Sequence, residues 1–256
     1  MQDLMALLWE PAVPPRRGPR PALTLEAIAG AGIEAADADG LSAVTMQRLA
    51  ERLGVTKMAL YRYVPGKAEL VALMLDAAIG APPFPPPGAS WRAALDAWAR
   101  ALYARFCHHP WALEAAVGAR VVGPRELTWL ERAVAAMDGT GLDGGEILDV
   151  AVILTGHVRN LAQQVTAMSA ASGTEGPSAG EGSAESGGAE GAMESALRLV
   201  LAGRQDRFPA LTAALTSAAT AAGRDQALDF GLDRILDGVA ALIDSRGPAA
   251  GPDGRP

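Results

Sequence analysis

Apolar residues recur at helical spacing through nearly the whole chain, and strict alternation with period two is almost absent, so the pattern predicts an all-α protein. From about residue 45 to 53, Leu49, Ala50 and Leu53 share one side of a helix, while Gln47, Arg48, Glu51 and Arg52 share the other. Gly54 follows at once, where glycine can take the left-handed conformation that closes a helix without steric cost. Thr56 is placed to cap a second helix over 57–64, and Pro65-Gly66 ends it. A helix over 24–38 turns Ile28, Ala29, Ile33 and Ala36 toward this pair and completes a three-helix module, since Leu49, Leu53, Leu60 and Val64 need a third surface to bury against. A fourth helix is predicted over 67–79.

Two short helices around a tight turn containing Gly fit a helix-turn-helix. If the second helix enters the major groove, its N-terminal residues meet base edges and its flanking cations and hydroxyls meet phosphates. Lys57, Met58, Ala59, Tyr61, Arg62, Tyr63 and Lys67 then become the candidate contacts. Lys57 suits a guanine, Ala59 a thymine methyl, and Tyr61, Arg62 and Lys67 phosphate oxygens. The competing reading of the same residues is an ordinary helical hairpin with a solvated basic face.

The run GLSAVTMQRLAERLGVTKMALYRYVPGKAELVALMLD resembles the DNA-binding domain of the tetracycline-repressor (TetR) family. The matching elements are Gly40 to Thr45, Leu49-Ala50-x-x-Leu53-Gly54-Val55, and Leu60-Tyr61-x-x-Val64-x-x-Lys67-x-x-Leu70, and the likeness covers roughly residues 22 to 80. The resemblance implies Thr45 and Gln47 at the groove edge, Lys57, Met58 and Ala59 over bases, and Tyr61, Tyr63 and Lys67 on phosphate. Met58 departs from the smaller or more polar residues common at its position. The family further implies a homodimer on palindromic double-stranded DNA, its interface built from the long helix before a mobile loop and from the final helix, and a small-molecule effector that releases a repressor from its operator.

The remaining organisation follows from breaks in the pattern. Residues 1–21 combine prolines with Arg16, Arg17 and Arg20 and read as a flexible basic arm, either a plain tail or a strand of cations reaching phosphate or the minor groove. The DNA-binding domain spans 22–80, and the run APPFPPPGAS separates it from a helical regulatory and dimerisation domain over 90–245. Within that domain helices are predicted at about 90–107, 110–120, 124–138, 143–169, 192–203, 209–221 and 224–245, with Ser90 and Asp143 as N-caps. Residues 169–191 hold seven Gly and four Glu with no large apolar side chain, which predicts a mobile loop. A disordered tail is expected over 246–256. In the last helix Leu228, Leu232, Ile235, Leu236, Val239, Leu242 and Ile243 form one stripe, with Gly231 and Gly238 on its flank where another helix can approach closely.

Composition sharpens this picture in three ways. Half of the 256 residues are hydrophobic and only 5% aromatic, enough for a small module and a larger helical domain. Residues 16–68 carry eight Lys or Arg against five Asp or Glu, or +3, although the whole chain stands at −7. Phosphate binding requires such local cation density rather than a basic total. One Cys, the absence of an 18-residue apolar run and the absence of a basic-then-apolar start argue against a disulfide framework, a membrane span and a signal peptide, and point to the cytoplasm.

No glycine-rich phosphate loop, GxSxG elbow or HExxH motif is present, so no enzymatic activity and no cofactor are expected. His108, His109 and His157 lack the spacing of metal ligands, and no metal is expected. In the 143–169 helix, His157, Asn160 and Gln164 interrupt the apolar face at i, i+3 and i+7. This polar seam has three readings: hydrogen bonds within the core, a dimer interface, or an effector pocket. An effector pocket would take a sizeable, largely apolar molecule, with Trp98, Phe106, Trp111 and Trp129 as walls or, alternatively, as plain core. The Gly156-His157 pair also resembles a feature of tetracycline repressors proper, in which such a His takes part in drug and magnesium binding. A rival functional class is a helical interaction protein or ligand sensor without sequence-specific DNA binding.

Overall fold

The computed structural model describes residues 2–10, 23–118, 120–172, 186–220 and 227–246. Every regular element among them is helical. The first helices are α1 (Gln2–Trp9), α2 (Leu25–Asp39), α3 (Met46–Arg52), α4 (Lys57–Tyr61) and α5 (Lys67–Ile79). Thr24, Thr45 and Thr56 each cap the helix that follows, their hydroxyls accepting the N–H of Ala27, Arg48 and Ala59 at 3.1, 3.2 and 3.1 Å. Between α3 and α4 the chain turns through Gly54 at φ 66°, a conformation a side chain at that position would oppose.

The second set comprises α6 (Trp91–His108), α7 (Trp111–Ala115), α8 (Pro124–Ala136), α9 (Gly144–Ser172), α10 (Ser186–Leu201), α11 (Pro209–Thr220) and α12 (Ala227–Arg246). Ser90 caps α6. Asp143 and Glu146 cap α9 reciprocally, each side chain accepting the other's backbone N–H at 2.9 Å. A single buried cluster runs from Leu60, Leu70 and Met74 through Leu95 and Trp98 to Leu154, Leu232 and Leu236. α5 joins its two halves, packing on α2 at one side and on α6, α7 and α8 at the other. With full burial of a Leu or Met contributing about 1.5–3 kcal/mol, this shared core rather than the proline-rich linker holds the two helical groups together.

Several expected boundaries move. Residues 2–9 form a helix, not an arm: the near-continuous apolar run Leu4 to Trp9 finds α5 to pack on, and Trp9 Nε1 donates to the Val122 carbonyl at 3.1 Å. Arg16, Arg17 and Arg20 lie outside the described residues. The 57–64 helix stops at Tyr61, its last turn opening into the bend before Pro65. The 110–120 helix shrinks to Trp111–Ala115, and Gly118 beyond it sits at φ 88°. Helical structure takes both ends of the expected 169–191 loop, to Ser172 and from Ser186; residues 173–185 and the tail beyond Arg246 lie outside the described residues.

Candidate nucleic-acid interface

α4 is held from beneath and open above. Leu60 and Val64 are fully buried against the module, while Lys57, Met58, Tyr61, Arg62 and Tyr63 project outward and Ala59 is half-buried. Lys57 Nζ sits 5.8 Å above the Tyr61 ring, a cation–π placement that holds both side chains along the helix. Lys67 Nζ donates to the Leu41 carbonyl at 3.3 Å, which ties the start of α5 to the turn before α3 and leaves two ammonium protons for another acceptor. Among the described residues Arg62 makes no ion pair.

The other cations of the module are engaged within it. Arg48 pairs with Asp39 at 3.1 Å and Arg52 with Glu34. Gln47 donates to Glu51 at 2.5 Å, so one amide proton is spent on its own helix. Thr45 is exposed, but its hydroxyl is the acceptor that caps α3. The outward face therefore offers two lysines, one arginine, two phenols and one thioether, the inventory needed to track a phosphate backbone and touch bases.

The residues expected around an effector separate. Trp98, Phe106, Trp111 and Trp129 are all buried in the core, and Trp98 also lines a small cavity of about 130 Å³ with Pro83, Phe84, Pro85 and Arg132. Their donors are satisfied internally: Trp98 Nε1 bonds the Trp129 carbonyl and Trp129 Nε1 the Gly80 carbonyl, both at 2.9 Å, and Trp111 Nε1 bonds Asp37 at 2.7 Å. The polar seam of α9 splits as well. His157 presses its ring on Gly231 of α12, where an added Cβ would lie 2.1 Å from Cε1 and Nε2, and its buried Nε2 has no partner among the described residues. Asn160 lines an open groove of about 470 Å³ between α8 and α9, together with Leu130, Val152, Thr155, Arg159 and Gln163. Gln164 is exposed and lines neither. The seam fails as a unit because helical spacing fixes a common side, not a common neighbour.

Two carboxylates that the sequence pattern does not single out connect the domains. Asp37 of α2 accepts from Trp111 and lies 2.8 Å from His109 Nδ1, both at the α6–α7 corner. Asp76 of α5 accepts the N–H groups of Arg125 and Glu126 at 2.8 and 3.2 Å, capping α8 from a different helix. Its burial pushes the carboxyl above its ordinary range, against the opposing pull of those two donors and of the Arg125 cation. A buried acid in an otherwise apolar stretch, VALMLDAAIG, is the one signal that could have flagged Asp76.

Two family descriptions match these two structural parts. "Bacterial regulatory proteins, tetR family" covers residues 28–74, and "Tetracyclin repressor-like, C-terminal domain" covers residues 84–243, more than half of the chain. The chain belongs to the TetR family. Among TetR-family relatives, the HTH-type transcriptional repressor DrrR1 of Streptomyces coeruleorubidus is 38% identical over 157 residues, 60% of this chain and 58% of its own length. An HTH-type transcriptional regulator of Saccharopolyspora erythraea is 31% identical over 140 residues, 54% of this chain and 59% of its own. The match thus spans less than three-fifths of either curated relative. The Streptomyces coelicolor TetR family protein ActR, solved in complex with actinorhodin, shares the fold at TM-score 0.68 and 24% identity, covering 86% of this chain and 98% of that one. The S. coelicolor regulator SCO7222 does so at TM-score 0.66 and 23% identity, covering 86% and 99%.

Proposed function

We propose that this TetR-family chain is a homodimeric transcriptional repressor that binds a palindromic operator and is released when a small molecule binds its C-terminal domain. The observation that carries this reading is α4: a short helix anchored by Leu60 and Val64 that turns Lys57, Met58, Tyr61 and Arg62 to solvent. One such helix meets only a few base pairs, whereas a two-fold pair spaced about 34 Å apart reads two half-sites. α9 and α12, packed side by side, expose Ile153 (54%) and Phe230 (65%), apolar surface that a second copy would cover. The groove beside Asn160 supports an effector site in which Leu130 and Val152 supply apolar contact and Thr155, Asn160 and Gln163 supply polar contact. A ligand there lowers operator affinity only to the extent that it prefers one dimer geometry over the other.

The test is fluorescence anisotropy with the full chain and duplexes drawn from its own upstream region, at two salt concentrations, beside sedimentation velocity. Preference for one duplex over random sequence, a dimer, and loss of binding but not of dimerisation in Tyr61→Ala/Lys67→Ala support the reading. Equal affinity for all duplexes, or a monomer at micromolar concentration, overturns it.

A further inference from the structure

Phe84 is the most exposed large hydrophobic side chain among the described residues, at 81%. It stands within the run Pro82-Pro83-Phe84-Pro85-Pro86-Pro87, whose pyrrolidine rings fix φ and stiffen the segment without helix or strand. With Pro83 and Pro85 it lines a cavity of about 130 Å³ whose other walls come from α6 and α8. The space is left by small side chains, Ala94 and Ala97 of α6 and Ala135 and Ala136 of α8. The Trp98 indole adds an apolar face, since its N–H is already spent on the Trp129 carbonyl. An apolar cavity of about 150 Å³ takes one benzene ring, so the room here suits a single aromatic ring.

One charged group borders this space. The Arg132 guanidinium stands over the Phe84 ring at 4.2 Å, and among the described residues it has no carboxylate partner. Its own helix supplies none, because Thr128, Trp129, Ala135 and Ala136 occupy the positions three and four residues away. A guanidinium held by its face keeps the N–H donors of its edge free, in the fork that fits a carboxylate. We infer that the cavity is a binding site for a small aromatic carboxylate, its ring between the proline-rich run and Trp98 and its carboxylate on Arg132. The site shares no lining residue with the groove beside Asn160, so it is a second small-molecule site and stands independently of the operator reading. The stiff linker keeps the ordering cost of binding low. Arg132 provides selectivity, a charge-assisted pair favouring the acid over a neutral alcohol of similar shape by about tenfold.

The experiment titrates the full-length chain with para-fluorobenzoate, followed through the fluorine NMR signal, beside para-fluorobenzyl alcohol as the neutral analogue. Wild type should bind the acid saturably and about tenfold more tightly than the alcohol. Arg132→Met, which keeps the aliphatic stem and loses the charge, should remove that preference. Ala97→Leu, which fills the cavity, should abolish saturable binding of both probes. Phe84→Ala, at an exposed position outside the core, should weaken both, and it carries the test if Ala97→Leu lowers the melting temperature too far for titration. Asn160→Ala should bind as wild type does. The assignment is overturned by the absence of saturable binding in wild type, by equal affinity for acid and alcohol, by undiminished binding in Phe84→Ala and Ala97→Leu, or by a loss confined to Asn160→Ala, which would put the ring in the other groove.

Discussion

Asp76 shows how much a single buried carboxylate can hold together. Its Oδ1 closes the N-terminus of α8, and it touches Gly123 so closely that an added Cβ there would lie 2.1 Å from the same oxygen. Asp76→Ala leaves two N–H groups without their acceptor and should lower unfolding stability by about 1–3 kcal/mol in urea titrations. Asp76→Asn keeps an acceptor and should lose less. The pH dependence separates the two effects. Because burial raises the folded carboxyl above its ordinary 3.8, the folded state holds the proton longer than the unfolded state. Its contribution to stability therefore falls as pH rises from 3.8 through the raised value and is level above it. Asn carries no such proton, so the stability of Asp76→Asn relative to wild type should climb over that window; parallel curves would contradict the raised value. On the outward side of the helix-turn-helix, Arg62 makes no ion pair among the described residues. Arg62→Ala should weaken binding to all duplexes alike and reduce the slope of log K against log salt by about one, whereas an unchanged slope would remove Arg62 from the phosphate contacts.

At the scale of elements, the packing of α9 on α12 depends on a missing side chain. Gly231 admits the His157 imidazole so closely that Gly231→Ala must displace the ring or part the helices, an overpacking cost of about 1–3 kcal/mol. His157→Ala removes both the obstruction and a buried nitrogen without a partner among the described residues. The pair should be non-additive: Gly231→Ala is expected to lower the melting temperature strongly in wild type and much less in His157→Ala. Additive losses would show that the two residues do not meet. Gly238, seven residues on, has nothing among the described residues within 4 Å of its added Cβ, so Gly238→Ala serves as the control without steric conflict. The helix stripe is legible in the sequence, but which of its two glycines receives a neighbour is set by how α9 crosses α12.

At the scale of the molecule, the two domains share one core and two carboxylate joints, Asp37 to His109 and Trp111, and Asp76 to α8. The two joints connect α7 and α8 directly to α2 and α5, and α2 packs on α3, which packs on α4. Asp37→Asn keeps an acceptor for Trp111 but weakens the bond to His109, and Asp37→Ala abolishes both. We expect Asp37→Ala to leave α4 folded, to preserve affinity for random duplex, and to reduce the factor by which an effector shifts operator affinity. A retained factor would exclude this joint from the coupling.

The linear chain was sufficient for everything set by local chemistry. Periodic Leu and Ala placed most of the helices, Thr56, Ser90 and Asp143 marked three of their starts, and Gly54 fixed the turn before α4, whereas the stop expected at Pro65-Gly66 comes earlier, at Tyr61. These signals act over three or four residues, so they survive without knowledge of neighbours. Folding alone decided which polar groups meet. Asp37 finds partners more than seventy residues away, and Asp76 finds them about fifty away. His157 turns to Gly231, while Asn160, one turn on, faces a groove. The same folding drew Leu4 to Trp9 onto α5 and closed four aromatic side chains into the core. A helix fixes the direction of each side chain around its own axis, and only the crossing of helices determines what stands in that direction.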